Sequence, residues 1–385
     1  MIDLETELLM IPGPVKFHPR IYRAMSRPII GHRTKEFSEL MKDTTEKFQK
    51  LLKTKNDVFF ITGSSTTAME SAIASLVAPN DKVLTIIQGK FSERWVDIIK
   101  AYQGIPVELN IEWRKAVLPD DIIPILEKEP DIKFITLCHN ETSTGILNPG
   151  KEIGKIAREY NKILIADCVT SVGGDYVLPD DWNFDIVATG AQKCIGVPPG
   201  LGIIMVGPRA WEIINNRKNI PSLYFNLKLY KKQYEKNNQT PFTPSVPLIC
   251  ALNESLNIMF EEGYDNRVKR HRLMGKALRE GIKALGLKLF ADEKYASNTV
   301  TSILYPPKID DKILRQKMRE KGVLIAGGQG KLKNKIFRIA HMNMCSKKDI
   351  LLTLSILEIC LKELGFNLRL GSGVAAAQEI FLTNK

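Results

Sequence analysis

Ile163-Leu-Ile-Ala-Asp167 and Ile186-Val-Ala-Thr-Gly-Ala-Gln-Lys193 are two short apolar runs that each lead into a charged side chain. Neither run alternates apolar with polar residues. Each therefore reads as a strand buried on both faces, the pattern of a parallel sheet covered by helices. Similar β-branched runs bounded by turn residues recur at Asp57–Thr62, Lys82–Ile87, Ile105–Leu109, Ile132–Leu137 and Gly202–Val206, and the two quoted runs extend to Lys162–Ala166 and Phe184–Thr189. Seven strands with helical patterns between several of them predict an α/β domain with a mostly parallel seven-stranded sheet.

Around that sheet, Phe37, Leu40, Met41, Thr44, Phe48, Leu51 and Leu52 fall at helical spacing and predict an amphipathic helix from about Thr34 to Lys53. From about 215 to 248 the periodicity fades into a polar stretch, Lys228–Gln239, followed by Thr240-Pro-Phe-Thr-Pro-Ser-Val-Pro247, read as a loop or an interface crossing. Beyond it lie a helix around Asn266–Leu285, strands near Thr299–Leu304, Val323–Ala326 and Lys335–Ile339, and a helix after Ile309 ending at Gly322. A last helix opens on the capping box Ser346-Lys-Lys-Asp349 and stops at Gly365. The division expected is an N-terminal segment over 1–20, a large domain over 21–260 and a smaller α+β domain over 261–385. There is no internal repeat.

The chain has 385 residues, 44% hydrophobic and 25% charged, with Gly and Pro scattered, which excludes collagen-like, low-complexity and largely disordered classes. No apolar stretch approaches the roughly 18 residues that span a bilayer, and Met1-Ile2-Asp3-Leu4-Glu5 is acidic where a signal peptide is basic. The C-terminal Leu382-Thr-Asn-Lys385 is not a peroxisomal SKL-type signal. A cytoplasmic protein without membrane association is expected. Six cysteines without a CxxC pair read as reduced, mostly buried thiols, and five histidines without ligand spacing argue against a metal. The net charge of +12 is compatible with nucleic acid, an anionic small molecule or surface habit alone.

Ligands of open α/β sheets bind outside the carboxyl ends of the strands, so Asp167 and Lys193 face one crevice. Singly, a strand-end Asp is more often a turn or cap residue and a Lys after a strand more often solvated. Together they are what pyridoxal phosphate requires: an amine for a Schiff base and an acid for the pyridinium nitrogen. A third element agrees. Phe60-Ile-Thr-Gly63-Ser-Ser-Thr-Thr67-Ala-Met-Glu70 is a strand, then hydroxylated residues, then a helix, and a helix start of that kind binds phosphate, although a plain Thr67–Glu70 capping box fits as well. No GxxxxGKS loop is present, and Gly196–Gly202 lacks the strand-to-helix setting of a dinucleotide fingerprint.

The order of Ile11-Pro-Gly-Pro14, Thr62-Gly-Ser-Ser-Thr66, Gly89-Lys-Phe-Ser-Glu-Arg94, His139-Asn-Glu-Thr-Ser-Thr-Gly145, Ala166-Asp167, Gly190-Ala-Gln-Lys193, Thr240-Pro-Phe-Thr-Pro244 and Phe337-Arg-Ile339 resembles the class V aminotransferases of fold type I, within them the alanine–glyoxylate and serine–pyruvate group, over nearly the whole chain. The resemblance implies pyridoxal 5'-phosphate on Lys193, which then serves as the base of the proton shift. It implies Asp167 at the pyridine nitrogen, Phe91 stacked on the ring where the family often has Trp, and Thr142 at the phenolic oxygen. Ser65, Thr66 and Gln192 would hold the phosphate, joined across a homodimer interface by Thr243. Arg338 would clamp the substrate carboxylate, and Gly31 would leave room for the substrate beside His32. A tyrosine that some relatives carry near the interface phosphate loop is replaced here by polar or small residues around Thr240.

The implied reaction is ping-pong transfer of an amino group from serine or alanine to pyruvate or glyoxylate. A cysteine desulfurase or selenocysteine lyase of the same fold is the alternative. It is disfavoured because such enzymes place His before the Schiff-base Lys and above the ring, where this chain has Gln192 and Phe91, and because Cys168, Cys194 and Cys345 sit in no supporting motif. A basic nucleic-acid-binding protein rests only on Lys228–Lys236 with Tyr230 and Tyr234 interleaved.

Overall fold

The computed structural model describes residues 7–383, so Met1–Glu5 and the final residues of the C-terminal tetrapeptide lie outside it. The chain opens with β1 (Leu8–Leu9), α1 (Pro19–Met25) and α2 (Lys35–Leu52), the long amphipathic helix that the spacing predicts. The sheet domain then runs β2 (Asp57–Gly63), α3 (Ser65–Leu76), β3 (Lys82–Ile87), α4 (Lys90–Ala101), β4 (Ile105–Asn110), α5 (Pro119–Lys128) and β5 (Ile132–Cys138). A small hairpin, β6 (Asn140–Glu141) and β7 (Ile146–Leu147), precedes α6 (Gly150–Glu159), β8 (Ile163–Asp167), β9 (Ile186–Gly190), β10 (Gly200–Val206) and α7 (Pro208–Asn216).

Seven strands form one sheet in the order β2-β10-β9-β8-β5-β3-β4. They are the seven expected runs. All neighbouring pairs are parallel except those of β10, which runs antiparallel to both β2 and β9. Two reversals leave β2 running with β9, so the carboxyl ends of β2, β3, β5, β8 and β9 share one edge. Alternate residues of each strand enter opposite cores: Val58 and Phe60 with Ile203 and Met205 on one face, Phe59 and Ile61 with Ile204 and Val206 on the other. Burial on both faces is why these strands read as continuous apolar runs.

Three readings need correction. Lys228–Gln239 is not a loop: α8 (Leu227–Asn237) occupies it, with buried Leu227 and Tyr230 against the sheet and Phe59 within ring contact of Tyr230 and Tyr234. The tyrosines supply the apolar face that the lysines hide, and they point into the core instead of interleaving with cations on a surface. The periodicity also resumes earlier than expected, in α9 (Val246–Glu262), which packs on α1 and α2. After α10 (Tyr264–Ala284), β11 (Val300–Leu304), α11 (Asp311–Glu320), β12 (Val323–Leu324), β13 (Ala326–Gly327), β14 (Ile336–Ala340) and α12 (Lys347–Glu363) comes α13 (Ser372–Thr383), so the helix opened by the Ser346 capping box is not the last. The carboxylate of Glu358 in α12 is buried and accepts the amides of Gly371, Gly373 and Val374, which starts α13.

In the C-terminal part β11, β14 and β13 form an antiparallel sheet beside a third apolar core, and β1 pairs in parallel with β12. Among the described residues no helix is long and apolar enough to cross a membrane, and no group of His, Cys, Asp and Glu is arranged to hold a metal.

Candidate active site

The shared strand edge opens on a cavity of about 290 Å³. Its wall brings together Ser65, Thr66, Phe91, Thr142, Asp167, Gln192 and Lys193, seven of the residues singled out in the sequence. They come from five places on that edge: Ser65 and Thr66 after β2, Phe91 after β3, Thr142 in the β6–β7 hairpin that follows β5, Asp167 at the end of β8, and Gln192 and Lys193 after β9.

Burial shifts the two reacting groups in opposite directions, each toward its neutral form. Asp167 is buried, and desolvation raises its carboxyl to about 6, opposed by the amide of Val169, which donates to Oδ1 at 2.9 Å. Desolvation lowers the Lys193 amine to about 8. Its Nζ donates to the carbonyl of Pro12, and a Cβ on Gly13 would lie 2.7 Å from Lys193 Cδ and Nζ. With φ at +98°, Gly13 holds a backbone that other residues rarely adopt, so Ile11-Pro-Gly-Pro14 is a roof over the lysine that only glycine fits.

At the α3 start the Ser64 hydroxyl accepts the Thr66 amide at 3.3 Å, so the cap is Ser64 and not Thr67. No carboxylate reaches this helix end among the described residues. Arg94, one turn beyond Phe91 on α4, also lines the cavity. It donates to Thr66 Oγ1 at 3.2 Å and lies 5.4 Å from the Phe91 ring centre. Arg94 and Asn140 were not singled out from the sequence. The available signal for Arg94 was its i+3 spacing from Phe91 within a motif already quoted.

Arg338, on β14, lies behind Thr142 instead of in the cavity lining. The residue is 4% exposed, and its guanidinium donates to the carbonyls of Gly327, at 3.0 and 2.8 Å, and of Thr142, at 3.0 Å. It has no ion-pair partner among the described residues, and desolvation, opposed by the charge of Glu141, lowers it to about 10. Gly31 and Thr243 stand apart from the cavity wall, both exposed, and Thr243 Oγ1 is 3.5 Å from His32 Nε2. Thr240 offers no substitute for the missing tyrosine, since its hydroxyl donates to the Phe242 carbonyl at 2.6 Å. Cys168, Cys194 and Cys345 are buried, and burial raises all three thiols, the reverse of what a nucleophilic cysteine needs.

The wall fits pyridoxal phosphate. Gln192 Oε1 and Asn140 Oδ1 are buried without a hydrogen-bond partner, and such atoms are completed by a polar ligand. Hydroxyls, helix amides and Arg94 suit a phosphate, and a buried carboxylate suits a protonated ring nitrogen.

Relatives bear on the same conclusion. The family described as "Aminotransferase class-V" matches residues 15–345. An uncharacterized aminotransferase of Methanocaldococcus jannaschii is 48% identical, covering 99% of both chains. The serine–glyoxylate aminotransferase of Arabidopsis thaliana is 32% identical over 96% of this chain and 94% of its own. The crystal structure of ureidoglycine–glyoxylate aminotransferase from Bacillus subtilis superposes with a TM-score of 0.92 at 34% identity, covering 98% of each chain. The buried lysine and aspartate at adjacent strand ends thus have their explanation in descent as well as in chemistry: the chain belongs to the class V aminotransferases, fold type I enzymes of the alanine–glyoxylate group whose cofactor is pyridoxal phosphate.

Proposed function

We propose that the protein transfers the amino group of serine or alanine to glyoxylate or pyruvate, with Lys193 and Asp167 as its catalytic residues. The observation that carries this reading is the meeting in one cavity of an amine lowered to about 8 and a buried carboxylate, with a guanidinium behind it that has no ion-pair partner among the described residues. When bound, pyridoxal phosphate supplies the electron sink for breaking a bond at the substrate Cα. Lys193, lowered toward neutrality, would attach the cofactor and then, as the free amine, carry the proton: off the Cα of the amino donor in one half-reaction and onto the Cα of the acceptor in the other. Asp167 holds the proton on the ring nitrogen, a role for which a cation opposite it offsets the cost of its burial.

Phe91 covers the ring face and excludes water, and Thr142 donates to the phenolic oxygen. Ser65, Thr66, Gln192 and the α3 amides hold the phosphate, joined by Arg94. Arg338 binds the substrate carboxylate, its planar fork matching two oxygens. Two of the relatives above are named for glyoxylate, which supports a small 2-oxo acid as the acceptor.

The arrangement is a homodimer in which Thr243 and Gly31, with His32 between them in the same exposed patch, complete the neighbouring site. The protein works in the cytoplasm. A donor-by-acceptor panel tests the substrates: serine or alanine with glyoxylate or pyruvate should exceed all other pairs. Purified protein should be yellow, and borohydride should fix the cofactor's mass to the wild type but not to Lys193→Ala. A colourless protein that stays colourless with added cofactor would sink the reading.

A further inference from the structure

The carboxylate of Glu141 is fully buried and makes no ion pair among the described residues, although its charge reaches the Arg338 guanidinium. It accepts the amides of Phe91 at 3.1 Å, Ser92 at 2.8 Å and Ser143 at 3.0 Å, and the Ser143 hydroxyl at 2.6 Å. Ser143 Oγ in turn accepts the Lys90 amide at 2.8 Å. Glu141 therefore caps α4 from a hairpin some fifty residues away, where the local cap position is Gly89, which has no side chain to offer. A Cβ on Gly89 would lie 2.4 Å from Glu141 Cδ, so the glycine is there to admit the carboxylate.

The next residue of the hairpin is Thr142, whose carbonyl holds Arg338 Nη1. One turn along α4, Arg94 reaches Thr66 on α3. A single carboxylate thus sits at the junction of the aromatic proposed to cover the cofactor ring, the arginine proposed to hold the substrate and the helix proposed to hold the phosphate.

We propose that Glu141 is a positioning residue: it fixes the start of α4 against the β6–β7 hairpin and so sets Phe91 and Arg338 relative to each other. The proposal rests on the roles given above to Phe91 and Arg338. Its physics is the charge-assisted bond between a carboxylate and a helix N-terminus, in a site where water cannot replace a lost acceptor. Glutamine is nearly isosteric but turns an NH2 donor toward amides that are themselves donors.

The test compares Glu141→Gln with Glu358→Gln, which removes an equally buried helix-capping carboxylate far from the cavity, and with Phe91→Leu. Both glutamines should lower the melting temperature. In Glu141→Gln the apoprotein's Kd for pyridoxal phosphate should also rise on the order of tenfold, the near-visible dichroism of the holoenzyme should fall, and amides at 90–94 should exchange faster. The KM for the amino acid should rise more than kcat falls. Glu358→Gln should leave cofactor affinity, dichroism and KM within about twofold. The proposal is overturned if Glu141→Gln keeps wild-type affinity and dichroism while Phe91→Leu loses them. If Phe91→Leu also changes neither, the role of Phe91 falls first and takes the proposal with it. Should Glu141→Gln not fold, Ser143→Ala, which removes the 2.6 Å donor and frees the Lys90 amide, is read by the same measurements, with about threefold changes expected and unchanged values overturning the proposal.

Discussion

Two helices begin at the same cavity, and their first turns are treated in opposite ways. The start of α4 is filled by protein: Glu141 takes the amides of Phe91 and Ser92. The start of α3 is capped by the Ser64 hydroxyl, and no carboxylate caps it among the described residues. Both ends carry the same partial positive charge. The difference separates scaffold from binding site: an N-terminus already holding a buried carboxylate has no capacity for a ligand anion, and one left with a neutral cap does. Far from the cavity, α13 repeats the α4 solution with Glu358, which identifies it as a structural device in its own right.

The largest effect asks whether the open helix end works without the lysine. Lys193→Ala should lower kcat on the order of 10^4-fold, since it removes both the attachment and the proton transfer. If the α3 start is the phosphate site, the variant should still bind pyridoxal phosphate reversibly, measured by equilibrium dialysis. Complete loss of binding would mean that the lysine, and not the helix, carries the affinity.

Next, the open end can be made to resemble the filled one. Ser64→Asp is as good a helix cap as serine, so the melting temperature should stay within about a degree. The new carboxylate would meet the phosphate at the wall that Ser64 lines, and cofactor affinity should fall on the order of 100-fold. A variant that kept its affinity would break the comparison. Arg338→Lys probes the anion held without a helix. A lysine cannot serve the Gly327 and Thr142 carbonyls and a carboxylate together, so the substrate KM should rise about 30-fold, about 2 kcal/mol, with cofactor affinity unchanged.

The filled helix end was the part least legible in the sequence. The seven strands announced themselves because burial on both faces leaves an unbroken β-branched run, and Asp167 and Lys193 followed from the rule that strand ends carry the site. Glu141 joins residues fifty positions apart, and no local spacing records such a contact. Gly89 could be quoted as part of a motif, but the reason for it, room for the Glu141 side chain, exists only in three dimensions. The α8 helix was hidden differently: Tyr230 and Tyr234 carry its buried face while its lysines dominate the composition, and Lys231 is spent on Asp57 and the Trp211 ring. Arg94 lay in plain view, and only its helical phase with Phe91 would have raised it above a surface cation.

The smallest effect separates the two components by pH. An ordinary lysine loses its proton near 10.4, but burial brings Lys193 to about 8. Only the unprotonated amine adds to an aldehyde, so reattachment of pyridoxal phosphate to the apoprotein should slow about fivefold from pH 8 to pH 7, about tenfold for each further unit, and level off above pH 8. The phosphate at the α3 start is governed by an ionisation near 6, so its grip should not change between pH 7 and pH 9. Deoxypyridoxine phosphate, which lacks the aldehyde, isolates that grip, and its Kd should stay flat over the range in which the attachment rate climbs. A Kd that rose and fell with the attachment rate would place the lysine's charge, and not the open helix end, at the centre of phosphate recognition. A rate still climbing at pH 10 would mean that the Pro12–Gly13 roof and the surrounding burial do not desolvate the amine.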